Sequence, residues 1–120
     1  MKGRNDAFGN DVYAILHTQK GLLVGSLAGL RLNQRQILLT PGAQPLVNAL
    51  AYDAIRHCYW IGTAGALYCA DRSLQNFSKI EALNGNSVKC IDEDQDGNLY
   101  IGTDNGLYRM AMNNSLEHFV

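Results

Sequence analysis

Apolar residues in this chain come in short consecutive runs. Leu22-Leu23-Val24, Tyr59-Trp60-Ile61 and Leu99-Tyr100-Ile101 are each followed by a glycine and then a hydroxyl residue, and polar, glycine-bearing segments separate them from the next run. No amphipathic stretch of ten or more residues repeats apolar side chains at i, i+3, i+4 and i+7, so the pattern predicts strands rather than helices. An antiparallel sheet with one wet face alternates apolar and polar residues. Consecutive apolar positions therefore imply strands covered on both faces.

The runs recur. Aligning Gly25, Gly62 and Gly102 spaces the copies 37 and 40 residues apart. In each copy the residue two before the glycine is large and apolar (Leu23, Trp60, Tyr100), and the one just before it is β-branched (Val24, Ile61, Ile101). Ser26, Thr63 or Thr103 follows the glycine, and Leu30, Leu67 or Leu107 lies five beyond it. A period near 40 residues, with several short strands per unit, is the signature of propeller blades. The predicted strands are Val12–His17, Leu22–Ser26, Leu30–Leu32 and Gln36–Thr40 in the first unit, then Val47–Tyr52, Tyr59–Thr63, Leu67–Ala70 and Asn76–Ile80. Val88–Asp94, Leu99–Thr103, Leu107–Met112 and Leu116–Val120 complete the third. The fold class is all-β: a β-propeller segment of three four-stranded antiparallel blades, residues 12–46, 47–87 and 88–120, with residues 1–11 as a leader or linker.

Asp92, Asp94, Asp96 and Gly97 imitate the opening of an EF-hand loop. The twelfth loop position, however, is Thr103, which cannot supply the bidentate carboxylate that a calcium loop requires, and both flanks read as strands. The alternative is a hairpin turn over Gln95-Asp96-Gly97-Asn98, where Gly97 accepts positive φ.

The stretch "SVKCIDEDQDGNLYIGTDNGLYRM" resembles the two-component regulator propeller repeat, whose consensus runs V-x-x-I-x-E-D-x-x-G-x-L-W-I-G-T-x-x-G-L. Val88, Ile91, Glu93, Asp94, Gly97, Leu99, Ile101, Gly102, Thr103, Gly106 and Leu107 match, and Tyr100 stands where the family prefers Trp. The middle copy keeps Trp60, Ile61, Gly62 and Thr63, with an inserted residue in its first hairpin and Ala66 in place of the last glycine; the first has Leu23 for Trp and Ser26 for Thr. The resemblance implies an extracytoplasmic, periplasmic sensing propeller of a bacterial hybrid two-component system. Such propellers commonly stand in tandem, followed by a β-sandwich, a membrane span and a kinase.

Ten Lys and Arg, scattered along the chain, against eleven Asp and Glu, which cluster only at Asp92–Asp96, give no basic surface for nucleic acid. No run of 18 apolar residues is long enough to insert in a membrane, and the basic start has no apolar segment after it of the kind a signal peptide needs. Cys58, Cys69 and Cys90 lack metal-ligand spacing. Cys58 and Cys69, counted outward from the turn at Thr63–Gly65, fall opposite each other, which fits either a cross-strand disulfide or free buried thiols. His17, His57 and His118 fall at different repeat positions, His17 aligning with Asp94, and none is set beside a carboxylate and a nucleophile. No catalytic residue, metal or cofactor is expected.

The structural repeat positions are Gly25, Trp60, Gly62, Thr63, Gly97, Tyr100, Gly102, Thr103 and Gly106. Propeller loops gather on one face around the central channel, which selects Gln44, Asn84, Asn86, Asp104 and Asn105 as hydrogen-bonding groups for a small-molecule or oligosaccharide ligand. Tyr52 is the candidate stacking surface. The function these residues imply is non-catalytic ligand sensing; the alternatives are a propeller enzyme acting on polysaccharides or lactones, and a protein–protein scaffold. Three blades leave two faces bare. A sheet of four five-residue strands measures about 19 Å by 17 Å, so each bare face forfeits about 8 kcal/mol over about 300 Å². Two such losses rival the whole stability of a domain, about 5 to 15 kcal/mol. Closure by other blades is therefore expected, either from a longer chain or from a homo-oligomer, in which two chains make six blades.

Overall fold

The computed structural model describes residues 11–39 and 45–119. Strands β1 (Val12–Thr18), β2 (Gly21–Ser26), β3 (Gly29–Leu32) and β4 (Arg35–Ile37) pair antiparallel, in chain order, as the first sheet. The second comprises β5 (Val47–Asp53), β6 (Cys58–Thr63), β7 (Leu67–Ala70) and β8 (Phe77–Lys79), and the third β9 (Val88–Glu93), β10 (Leu99–Thr103), β11 (Gly106–Met110) and β12 (Leu116–Phe119). A single 3-10 turn, Glu81–Leu83, is the helical content of the described residues. The sheets stack face to face with β1 beside β5 and β5 beside β9. They are the blades of a propeller arc.

Two strands are shorter than the apolar pattern predicts, because residues at one end of each are drawn into turns. Asn76 is outside β8: its amide and its backbone N–H both bond to the Asp71 carboxylate. Likewise β11 stops at Met110, where Ala111 N–H turns to Ser115 O and Asn114 N–H to Ala111 O.

The stacking explains the recurrent glycine. A Cβ on Gly25 would lie 2.4 Å from Val47 Cγ1, and a Cβ on Gly62 would lie 2.4 Å from Val88 Cγ1. Each blade thus lends a notch at its second strand to the first valine of the next blade. Immediately after that valine the first strand bulges, between Val12 and Ala14, Val47 and Ala49, and Val88 and Cys90, which aims the valine out of its sheet. One apolar cluster (Leu23, Leu30, Val47, Ile61) fills the first gap between blades, and a second (Trp60, Leu67, Val88, Leu99, Ile101) fills the next. Among the described residues only the middle blade is covered on both sides, so every residue of β6 is buried while Tyr100, Gly102 and Thr103 of β10 are partly exposed.

The repeat hydroxyls brace the turn that follows them. Thr63 Oγ1 donates to Ala66 O and accepts from Gly65 N–H; Thr103 Oγ1 does the same with Gly106 and Asn105, and Ser26 Oγ accepts from Ala28 N–H. Gly106 adopts φ +95°, as the turn requires.

Two alignments made by counting are corrected by strand register. Ala14, Ala49 and Cys90 face the repeat glycines, so Thr18, Asp53 and Asp94 are equivalent, each four residues further on. His17 is not the counterpart of Asp94, because the first hairpin needs only Gln19 and Lys20 where the third needs Gln95 to Gly97. Cys69 faces Trp60 rather than Cys58, which places the two thiols diagonally. All three cysteines are free, and Cys58 alone is buried. A hydrogen bond with Cys69 and burial together push the Cys58 thiol far above the ordinary thiol range.

Candidate functional site

In each blade the first-to-second and third-to-fourth strand turns share one end of the arc. The second-to-third turns and the connections between blades share the other. Asn84, Asn86, Asp104 and Asn105 lie together at this second end, and Gln44 lies outside the described residues. Part of this polar set is committed to the loops. Asp104 Oδ1 accepts Ser87 N–H at 2.9 Å while Asp104 N–H donates to Ser87 O, and Asn86 Nδ2 donates to Leu83 O at 3.2 Å. Asn105 donates its N–H to Thr103 Oγ1 and lends its carbonyl to His118 Nε2 at 2.6 Å, with the His118 ring stacked on Tyr108. Asn84 and Asn105 are exposed.

Tyr52 is not with them. It sits one residue before the end of β5, at the opposite end of the arc, with its ring 4.9 Å from that of Tyr59 and tilted by 50°. The two tyrosines line a groove of about 530 Å³ between the first two blades, together with His17, Lys20 and Arg72. Its lining carries two cations and no carboxylate. Lys20, in the two-residue turn of the first hairpin, and Tyr52, near the end of β5, face this groove from different blades. Counting along the sequence could not align residues from two blades, so Lys20 and Arg72 went unselected.

The hairpin ends are organised by carboxylates. Asp94 Oδ1 accepts the N–H groups of Asp96 and Asn98, and Oδ2 accepts from Asn98 Nδ2 and Tyr100 Oη, which closes the turn with Gly97 at φ +86°. The Asn98 amide, then its backbone N–H, holds the Asp94 carboxyl below its usual range. Oxygens so engaged are turn builders, and the described residues contain no cluster of three metal-ligating side chains. Asp53 does the same work inside the protein. Its Oδ1 accepts Ile55 and Arg56 N–H, and its Oδ2 accepts Trp60 Nε1 at 2.9 Å and Arg56 Nη1 at 2.8 Å. Arg56 continues to Ala111 O at 2.7 Å and Asn114 Oδ1 at 3.3 Å, tying blade two to the last turn of blade three.

Glu93 completes this cluster, 3.7 Å from Arg56 Nη1. Burial, then the neighbouring Asp53 carboxyl, pushes its pKa up to about 7. Burial alone would raise Asp53 as well, but its bonds with Glu93, Arg56 and Trp60 outweigh that and keep it ionised. Because the Glu93 pKa is higher folded than unfolded, its stabilising share is complete below the unfolded value of about 4.3. That share is lost as pH climbs to about 7. Thermal melts of the wild type are expected to weaken from pH 5 to pH 8. Glu93→Gln is expected to remove that slope, a difference of about 1 to 2 kcal/mol at pH 8.

The two-component regulator propeller family matches residues 82–105, the third blade's entry loop and first hairpin. The structure is similar to the extracellular domain of BT4673 from B. thetaiotaomicron, described as a one-component system in one crystal structure and as a hybrid two-component system in another. The TM-scores are 0.80 and 0.78, at 32% identity over 100% and 98% of this chain. The extracellular domain of the hybrid two-component system BT3049 shares the fold, with a TM-score of 0.71 at 20% identity over 97% of this chain. This chain spans 18%, 17% and 17% of those chains. No curated protein matches it. Residues 82–105 thus match the two-component regulator propeller family, and the three sheets share the fold of these extracellular domains.

Proposed function

We propose that this chain is part of an extracytoplasmic sensor propeller that recognises a ligand without transforming it. The observation that carries the reading is the 32% identity, over the full length of this chain, to the extracellular domain of a one- or two-component system. A carbohydrate-type ligand is the class the groove between the first two blades fits best. Tyr52, 39% exposed and backed by Tyr59, offers a ring face for a pyranose, while Lys20 and Arg72 favour an acidic sugar over a neutral one.

Oligosaccharides differing only in uronate content, tested by calorimetry and thermal shift, provide the experiment. An acidic oligosaccharide is expected to raise the melting temperature. Tyr52→Ala and Arg72→Ala are each expected to weaken binding about tenfold, corresponding to about 1.4 kcal/mol. Binding that ignores both substitutions but fails in Asn84→Ala or Asn105→Ala would move the ligand to the other end of the arc. Release of cleaved product from a labelled polymer would replace sensing with catalysis.

A further inference from the structure

Strand register and blade stacking gather sulfur groups that the sequence keeps apart. Cys69 of β7 faces Trp60 of β6, and Cys58, two residues before Trp60, stands on the same face of its strand. The two thiols share a hydrogen bond. Met110 of blade three, itself buried, lines with them a cleft of about 430 Å³ between the second and third blades. Trp60 and Ile80 make much of the remaining wall, and Arg56 is its charged residue.

The thiol pair is badly placed for a disulfide. Diagonal neighbours in an antiparallel sheet have Cα atoms about 7 to 8 Å apart, whereas a disulfide needs them within about 7 Å. A metal ion about 2.3 Å from each sulfur bridges thiolates up to about 4.6 Å apart, so it joins the pair without moving a strand. Spacing along the chain, which counted against a metal, does not constrain ligands brought together across a sheet. Among the described residues no third His, Cys, Asp or Glu joins the pair, and a four-ligand zinc site is not formed. Two thiolates with a thioether on the same cleft suit a soft ion of low coordination number, cuprous copper.

We propose that Cys58 and Cys69, with Met110 as a weaker third donor, form a site for one Cu(I) ion between blades two and three. Each thiol releases its proton to water as its sulfur binds the ion, so one Cu(I) enters, two protons leave and no oxidation state changes. The resulting dithiolate complex carries one net negative charge, which the Arg56 guanidinium in the same lining offsets. The site is separate from the groove between the first two blades and stands whether or not that groove takes a sugar.

The chain's one tryptophan, Trp60, adjoins the site and reports on it. The test is an anaerobic titration of the whole chain with Cu(I), in competition with a chromogenic Cu(I) chelator, in a Cys90→Ser background that removes the exposed thiol. One equivalent is expected to bind, quench Trp60 fluorescence and raise the melting temperature, while Zn(II) does none of these. Cys69→Ser, at a half-buried position, is expected to weaken binding more than about a hundredfold, and Met110→Leu, close to it in volume, about tenfold. Circular dichroism establishes that both variants are folded. Unchanged affinity in either variant overturns the proposal, as does equal affinity for Zn(II). A Cys58–Cys69 cross-link, found by peptide mapping of protein kept without reductant, overturns it in favour of a disulfide.

Discussion

Asp53→Ala is expected to destabilise the protein by about 3 to 5 kcal/mol, since removing one partner of a buried ion pair leaves the other charge uncompensated. The Asp53 side chain is 0% exposed and satisfies four donors: two backbone N–H groups of its own hairpin, the Trp60 indole and the Arg56 guanidinium. Without it, Arg56 has only Ala111 O, Asn114 and the more distant Glu93, and Trp60 Nε1 is stranded inside the cluster shared by blades two and three. Asp53→Asn, which keeps an oxygen for the hairpin but not the charge, is expected to fall between wild type and the alanine variant. Chemical denaturation at pH 6 reads both. A loss below about 1 kcal/mol for the alanine variant, the level of an exposed pair, would show that the cluster is wet and not a tie between blades.

Gly62→Ala is expected to cost about 2 to 3 kcal/mol although it adds only a methyl group, because the joint has no spare volume. Its Cβ would fall 2.4 Å from Val88 Cγ1 and 2.9 Å from Val88 Cβ, and Val88 cannot retreat while β9 is paired to β10. Val88→Ala is expected to cost about 2 kcal/mol through lost burial and the cavity left behind. The double variant is the informative one. In it the methyl group added at position 62 occupies the room vacated by the Val88 methyls, so the two costs are expected to fall short of additivity by about 1 kcal/mol or more, on the order of typical couplings between touching residues. Strict additivity in denaturant melts would mean that glycine is required at position 62 for its own backbone and not for the neighbouring blade.

The same joint separates what was legible in the chain from what was not. The positions of Gly25, Gly62 and Gly102, and the hydroxyls after them, were evident from repetition, and their setting between strands followed from the turn residues around them. Their meaning was not, because the group that needs the glycine is a valine 22 or 26 residues downstream in another sheet. The candidate ligand residues divided similarly. Asn84, Asn86, Asp104 and Asn105 fall at one end of the arc because loop membership follows from strand order. Tyr52 belongs to the other end because its place depends on which way β5 runs and on what the adjoining blade leaves open. Asp53 and Arg56 carried no sequence signal that set them apart from any hairpin Asp and Arg. Only the Trp60 ring above and the Ala111 turn across the gap make them a tie.

By itself, the order of residues determined the period, the four strands in each unit, the turn chemistry at Gly97 and Thr103, and an all-β fold that stacks. Each of these is settled by neighbours within a few positions along the chain: side-chain alternation, φ preference, hydroxyl-to-backbone bonds. The tertiary structure alone decided which valine enters which glycine notch, which hairpin residue replaces Asp94 in the first blade, and where charge and aromatic rings converge between blades. Those outcomes depend on strand register and on hairpin lengths that differ by one or two residues between copies, and a one-residue difference redirects a side chain to another face.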